Sequence, residues 1–280
     1  MTVSDESTAF VPGHVTGFFS PCPDDDPTRA GSRGAGLTLT DGVAVTVRGT
    51  DDPGVVLDGD PISMAPVETV LDALGVADRA RVVAESDLPL GTGFGVSGAM
   101  ALGTALAAND RFGRERSAND LVTLAHRAEV EAGTGLGDVV AQARGGVPIR
   151  LDPGAPAHGR LDGVPATRRV EYVTFGDRST AEVLAGDTDP LVRAGDAALD
   201  RLVECPTLST LVAESRRFAR DAGLLTDRVR ETVDAVVDAG GEASMVMLGE
   251  TVFALDSGLS DAGVDATACR ICDAGAHLTG

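Results

Sequence analysis

The chain has 280 residues, 43% of them apolar, which suits one large folded domain or two modest ones rather than a disordered chain. Its formal net charge is −20: 30 Asp and 13 Glu face 23 basic residues, all of them Arg. No basic cluster exists to release counterions from a nucleic acid or hold an anionic membrane, and a chain without Lys can carry neither a Walker A loop nor the protein-kinase ATP site.

Residues 8–19 are apolar and β-prone, interrupted by Pro12-Gly13. Residues 21–35, rich in Pro, Asp and Gly, are loop-like. Two short strands, 36–40 and 43–48, are expected on either side of Asp41-Gly42, a strong hairpin signal. A helix at 66–74 and a strand at 80–85 follow. A Gly-rich loop at 87–95 then runs into an Ala/Leu-rich helix at 97–108, and a second helix spans 118–131. A second Gly-rich turn covers Gly133–Asp138, and Gly145-Gly146 introduces a strand at 147–151. The Pro- and Gly-rich stretch 152–166 is the candidate boundary between halves. Beyond it come a strand at 168–175, helices at 189–203, 207–222 and 226–239, and strands at 243–248, 251–255 and 266–273. Strands and helices in both halves, with no internal repeat, predict an α+β fold.

Cys269-Arg-Ile-Cys272 has metal or redox spacing. Neither a second CxxC nor an HxxxH supplies the remaining ligands, so reduced thiols are the expectation. The first residues, Met1-Thr-Val-Ser-Asp-Glu6, are acidic and lack the apolar core of a signal peptide, which points to a cytoplasmic protein. The acidic, Asp-rich surface suits a salt-loaded cytoplasm, where charge repulsion is screened; GC-biased codons would also favour Arg over Lys. Nothing in the pattern excludes a homodimer.

The chemistry concentrates in Pro89-Leu-Gly91-Thr-Gly93-Phe-Gly95-Val96-Ser97-Gly98-Ala99, between a strand and a helix. Glycines let an anion approach the backbone, and a helix N-terminus offers free N–H groups. Gly93-x-Gly95-x-x-Gly98 formally fits a dinucleotide fingerprint. That motif needs a strand and an acid after the helix, and a polar run and a second helix stand there instead. Gly95-Val-Ser97-Gly98-Ala99 is one residue short of a hydrolase elbow, but that elbow is a tight turn, not a long loop headed by Pro.

In a third reading the loop resembles P-x-x-x-G-L-G-S-S-A, the second motif of the GHMP kinase superfamily, with Phe94 and Val96 at the Leu and first Ser places and Ser97 retained. The resemblance implies a two-part α+β fold with an ATP cleft between the halves: an N-terminal ATP-binding domain at 1–160 and a C-terminal domain at 161–280. It implies ATP and Mg²⁺ as cofactors, phosphates cradled by 89–99, and Ser97 and Glu129 as metal ligands. Asp138 in Gly135-Leu-Gly-Asp138, resembling the family's S-G-x-D, would be the catalytic base, while Glu131 lies about 200° round the helix from Glu129.

The segment Pro12-Gly13-His14-Val15-Thr16-Gly17-Phe18-Phe19, with Asp26-Pro27 and Ala30-Gly-Ser-Arg33-Gly-Ala-Gly36, narrows the resemblance to the archaeal pantoate kinase family over residues 8–150. His14 stands where many members of the superfamily have Lys. The implied substrate, pantoate, needs a cation for its carboxylate and an apolar wall for its dimethyl group. Arg29, Arg33 and Arg150 are the candidate cations, His14 and Thr16 further candidate contacts, and Phe18 or Phe19 the candidate wall. Gly240-Gly241-Glu-Ala-Ser244-Met245 is the candidate third phosphate motif. Homoserine, shikimate or mevalonate as acceptor, and a non-catalytic sensor on the same fold, remain the alternatives.

Overall fold

The computed structural model describes residues 5–177, 188–247 and 249–279. Two long antiparallel strands, β1 (Glu6–Cys22) and β2 (Gly31–Gly49), form its spine. Both are dense in Val, Leu, Phe and Thr, and nearly every apolar side chain on them is buried. The hairpin expected at Asp41-Gly42 is absent. β2 runs straight through, with Pro12 opposite Gly42 and Gly13 opposite Leu39, so Thr40 and Asp41 form a bulge. Gly42 serves close approach: a Cβ there would lie 2.4 Å from the Val11 carbonyl oxygen. The loop expected over 21–35 is likewise shorter, because residues 31–35 pair with 18–22.

The first sheet has the order β12-β1-β2-β5-β3-β4. β3 (Gly54–Leu57) lies parallel to β5 (Ala80–Ser86), and β4 (Asp60–Ile62) closes that edge. β6 (Val147–Asp152) pairs with the start of β2 and with β7 (Arg160–Val164), so the Pro- and Gly-rich stretch is a hairpin of this sheet. α1 (Ala65–Ala73), α2 (Val96–Arg111) and α3 (Ala118–Ala132) pack together, with α2 against the sheet. α2 is buried on almost every side, which its Ala, Gly and Leu composition permits, and a Ser117–Asp120 capping box starts α3. The short α4 (Asp138–Arg144) follows the second Gly-rich turn.

The second sheet has the order β11-β8-β10-β9, from β8 (Arg169–Asp177), β9 (Ala243–Val246), β10 (Gly249–Leu255) and β11 (Thr267–Arg270). α5 (Asp189–Glu204) packs on β1 and β2 of the first sheet and on α6 (Leu208–Asp221), while α6, α7 (Asp227–Asp238) and α8 (Gly258–Asp261) pack on the second sheet. β12 (His277–Thr279) returns to pair with β1. Phe18 and Phe19 of β1 are buried against Phe218 of α6, at ring separations of 6.5 and 5.8 Å. They belong to the core between the first sheet and the helices, so packing, not a substrate wall, accounts for them.

Candidate active site

The Gly-rich loop joins β5 to α2. Gly91, Gly93 and Gly95 all have positive φ, at 83°, 93° and 67°, which lets the chain coil tightly ahead of the helix. Side chains pin it: Thr92 Oγ1 donates to the Pro89 carbonyl at 2.8 Å, and Thr251 Oγ1 donates to the Thr92 carbonyl at 3.1 Å. Phe94 is buried edge-on to Tyr172 and accepts the His14 amide on its carbonyl at 3.0 Å. Pro89 and Gly91 are exposed, whereas Val96, Gly98 and Ala99 are buried in the first turn of α2 and Ser97 is part-exposed. The first-turn amides of a helix lack intrahelical acceptors, so this turn presents N–H groups beside the loop.

Glu129, in the last turn of α3, is buried, and Ser97 Oγ donates to its Oε2 at 3.0 Å. Its Oε1 is buried with no hydrogen-bond partner among the described residues. Burial, reinforced by the charge of Asp138 and opposed by the Ser97 hydroxyl, pushes the Glu129 carboxyl up to about 7.

Asp138 is the first residue of α4, not part of a loop, and 23% of its side-chain surface is open. Its Oδ1 lies 2.7 Å from Nδ1 of the buried His14. Burial alone would raise the Asp138 carboxyl; the His14 hydrogen bond and the Arg150 guanidinium outweigh it and hold the carboxyl below its ordinary value. Burial keeps His14 below its own ordinary value, so the imidazole is neutral and donates Nδ1–H to an ionised Asp138. His14 Nε2 is buried without a partner among the described residues, 2.5 Å from where a Cβ on Gly36 would lie, and therefore points into β2. Thr16 Oγ1 stands 3.4 Å from His14 Nδ1.

The three candidate Arg residues separate clearly. Arg29 is exposed and faces Asp26 at 3.8 Å. Arg33 pairs with Asp196 of α5 at 2.5 Å. Arg150 is buried within electrostatic reach of Asp138; Nε donates to the Ser32 carbonyl at 3.3 Å and Nη2 to Ser32 Oγ at 3.4 Å, while Nη1 has no partner among the described residues. Thus His14, Thr16, Ser97, Glu129, Asp138 and Arg150 converge at the mouth of the Gly loop, and Arg29 and Arg33 are engaged elsewhere.

His126 stands beside the site as well, a neighbour that the kinase reading of the sequence did not name. It is buried one turn before Glu129, its Nε2 lies 2.9 Å from the Ala30 carbonyl, and Arg150 acts on it. Its i, i+3 spacing from Glu129 was the available signal. The Gly240-Gly241 pair does not face the loop: it stops α7, with the Gly241 amide on the Val236 carbonyl at 2.8 Å. The next stretch does the packing, since a Cβ on Gly93 would meet the Met247 carbonyl at 2.6 Å and Val246 at 3.0 Å.

A glycine loop on a helix N-terminus, a hydroxyl–carboxylate pair and a second, ionised carboxylate define a small-molecule kinase of the GHMP type. Accordingly, residues 64–146 match the GHMP kinases N terminal domain. The chain is 33% identical over 251 residues to pantoate kinase of Methanocaldococcus jannaschii, covering 88% of this chain and 91% of the relative. It is 37% identical over 265 residues to pantoate kinase of Thermococcus kodakarensis, covering 88% and 86%. Its fold matches a solved phosphotransferase related to the CoA biosynthesis pathway with a TM-score of 0.88, at 30% identity over 98% of both chains. The chain belongs to the pantoate kinase family.

Proposed function

We propose that the protein transfers the γ-phosphoryl group of ATP to the C4 hydroxyl of (R)-pantoate, giving 4-phosphopantoate and ADP, a step toward coenzyme A. The observation that carries this reading is the Asp138 carboxylate, kept ionised by His14 and Arg150 beside the Ser97–Glu129 pair and the Gly loop. An ionised carboxylate at this position orients the hydroxyl and takes its proton as the new oxygen–phosphorus bond forms. The bond from the γ-phosphorus to the bridging oxygen breaks, and its electron pair leaves on ADP. Backbone groups of 89–99 and the first turn of α2 hold the phosphates. In this reading the ATP-binding unit ends after β7, which pairs with β6 in the first sheet, rather than at the 160/161 division between a 1–160 and a 161–280 unit.

Ser97 Oγ and Glu129 fit Mg²⁺: both are hard oxygen donors, and the partnerless Glu129 Oε1 leaves a buried lone pair to coordinate. When bound, Mg²⁺ neutralises the β- and γ-phosphate charge. Arg150 supplies the carboxylate contact, because of the three candidates it alone acts on Asp138, and its Nη1 has no partner among the described residues. Thr16 contacts the acceptor from β1, and His14 acts through Asp138. No helix among the described residues is long and apolar enough to cross a membrane. A cytoplasmic, salt-adapted enzyme, with a homodimer as its candidate assembly and no nucleic-acid partner, completes the reading. Asp138→Asn keeps Mg-ATP binding in a calorimetric titration and lowers kcat by about 100-fold or more; undiminished turnover refutes the assignment.

A further inference from the structure

Gln142 lies one helical turn after Asp138 on α4 and is fully buried. Its Nε2 donates to the Gly95 carbonyl at 3.0 Å. That carbonyl also accepts the Ala99 amide at 2.9 Å, and it belongs to the left-handed residue that starts α2, with φ 67° and ψ 31°. The main chain of Gln142 is fixed as well, since its carbonyl accepts the Ala276 amide at 2.9 Å. A carbonyl can only accept, so the group facing Gly95 must be the amide nitrogen. That orientation leaves Oε1 buried without a partner among the described residues, 3.2 Å from where a Cβ on Gly98 would lie. An unpaired buried carbonyl costs stability, and an apolar side chain of the same shape would avoid that cost. The residue is therefore a poor choice for packing alone.

Asp138 completes the geometry. A Cβ on Gly95 would lie 3.1 Å from Asp138 Cβ and 3.2 Å from its Cγ. Residues four apart share a helix face, so Asp138 and Gln142 bracket Gly95 from one side of α4. The His14 amide holds the preceding carbonyl, that of Phe94, while the His14 ring holds Asp138.

We infer that Gln142 is a positioning residue that locks the left-handed Gly95 to α4, making the phosphate loop and the Asp138 base one rigid unit. This rests on the kinase reading, and the test separates the two. Mg-ATP affinity is measured by calorimetry without acceptor, alongside steady-state kinetics, for the wild type, Gln142→Met and Gln142→Glu. Met keeps the shape and removes the donor; Glu keeps the shape and, read above the pH at which its buried carboxyl ionises, turns an acceptor toward the Gly95 carbonyl. The expected result is an Mg-ATP Kd raised about fivefold or more in both variants, from the loss of one hydrogen bond. The KM for ATP follows it, the KM for the acceptor stays within about twofold, and the thermal midpoint of Gln142→Met does not fall. If Gln142→Met fails to fold, Gln142→Glu decides by the same readout. Nucleotide affinity and KM within about twofold of wild type in a folded variant overturn the inference. A wild type that binds no Mg-ATP overturns it too, by removing the kinase reading beneath it.

Discussion

The charge state of Asp138 depends on a neighbour that is itself uncharged. Burial depresses His14, so what it gives Asp138 at neutral pH is one short hydrogen bond from Nδ1 at 2.7 Å, and Arg150 adds a fixed positive charge. With the carboxyl held below its ordinary value, the base form is present throughout the neutral range and is lost only as pH falls through that depressed value. His14→Leu removes the donor and leaves burial, which acts in the opposite sense. The acid limb of the kcat profile then moves to higher pH, so activity is lost first on the acidic side of neutrality. An acid limb unmoved from wild type contradicts this account of His14. His14 drew attention in the sequence because it replaces a family Lys. His126 did not, because a His on the apolar face of an amphipathic helix looks like core until the fold sets it beside Ala30 and Arg150.

Among the elements, long and periodic segments were legible and short or partner-dependent ones were not. The three helices α5, α6 and α7 and the strands β5, β6 and β8 fell within a residue or two of expectation, because apolar spacing over many residues leaves few alternatives. The Asp41-Gly42 turn failed since the partner strand β1 offers a ladder on both sides of it, and a bulge keeps more hydrogen bonds than a hairpin would. α4 was missed because seven residues with adjacent Val139 and Val140 carry no readable helical period. Gly95→Ala tests the loop: the left-handed conformation costs a residue with a Cβ about 1–2 kcal/mol, and that Cβ crowds Asp138. The expected outcome is a raised KM for ATP with reduced kcat; unchanged kinetics would mean that the loop adapts freely. In the second sheet, buried Glu171 accepts the Ser260 amide at 2.9 Å, the Ser260 hydroxyl at 2.7 Å and Arg169 at 2.7 Å. Burial would raise this carboxyl, but those bonds outweigh it and hold it below its ordinary value. Its contribution is therefore present above the unfolded-state value and is lost as pH falls through the lower folded value. Glu171→Gln costs about 1–3 kcal/mol near neutrality, less at acid pH, and denaturant melts at two pH values check it.

At the scale of the molecule, −20 charges on 280 residues repel one another at low ionic strength. Near 1 M salt the screening length falls to about 3 Å, and the repulsion fades. Raising KCl from about 0.1 M to about 2 M should therefore raise the thermal midpoint steadily; a flat dependence would remove the salt-adapted reading. The kinase class was legible because Pro89–Ala99, Glu129 and Asp138 occur in order with functional spacing. The proposed choice of Arg150 over Arg29 and Arg33 was not, since three cations look alike until burial and pairing tell them apart. The measurement that tests the account most directly is ADP release from Mg-ATP in about 2 M KCl, where charge repulsion is screened, against pantoate, homoserine, shikimate and mevalonate. The account predicts turnover with pantoate alone, and folded protein that ignores pantoate while turning over another acceptor, or none, would contradict it.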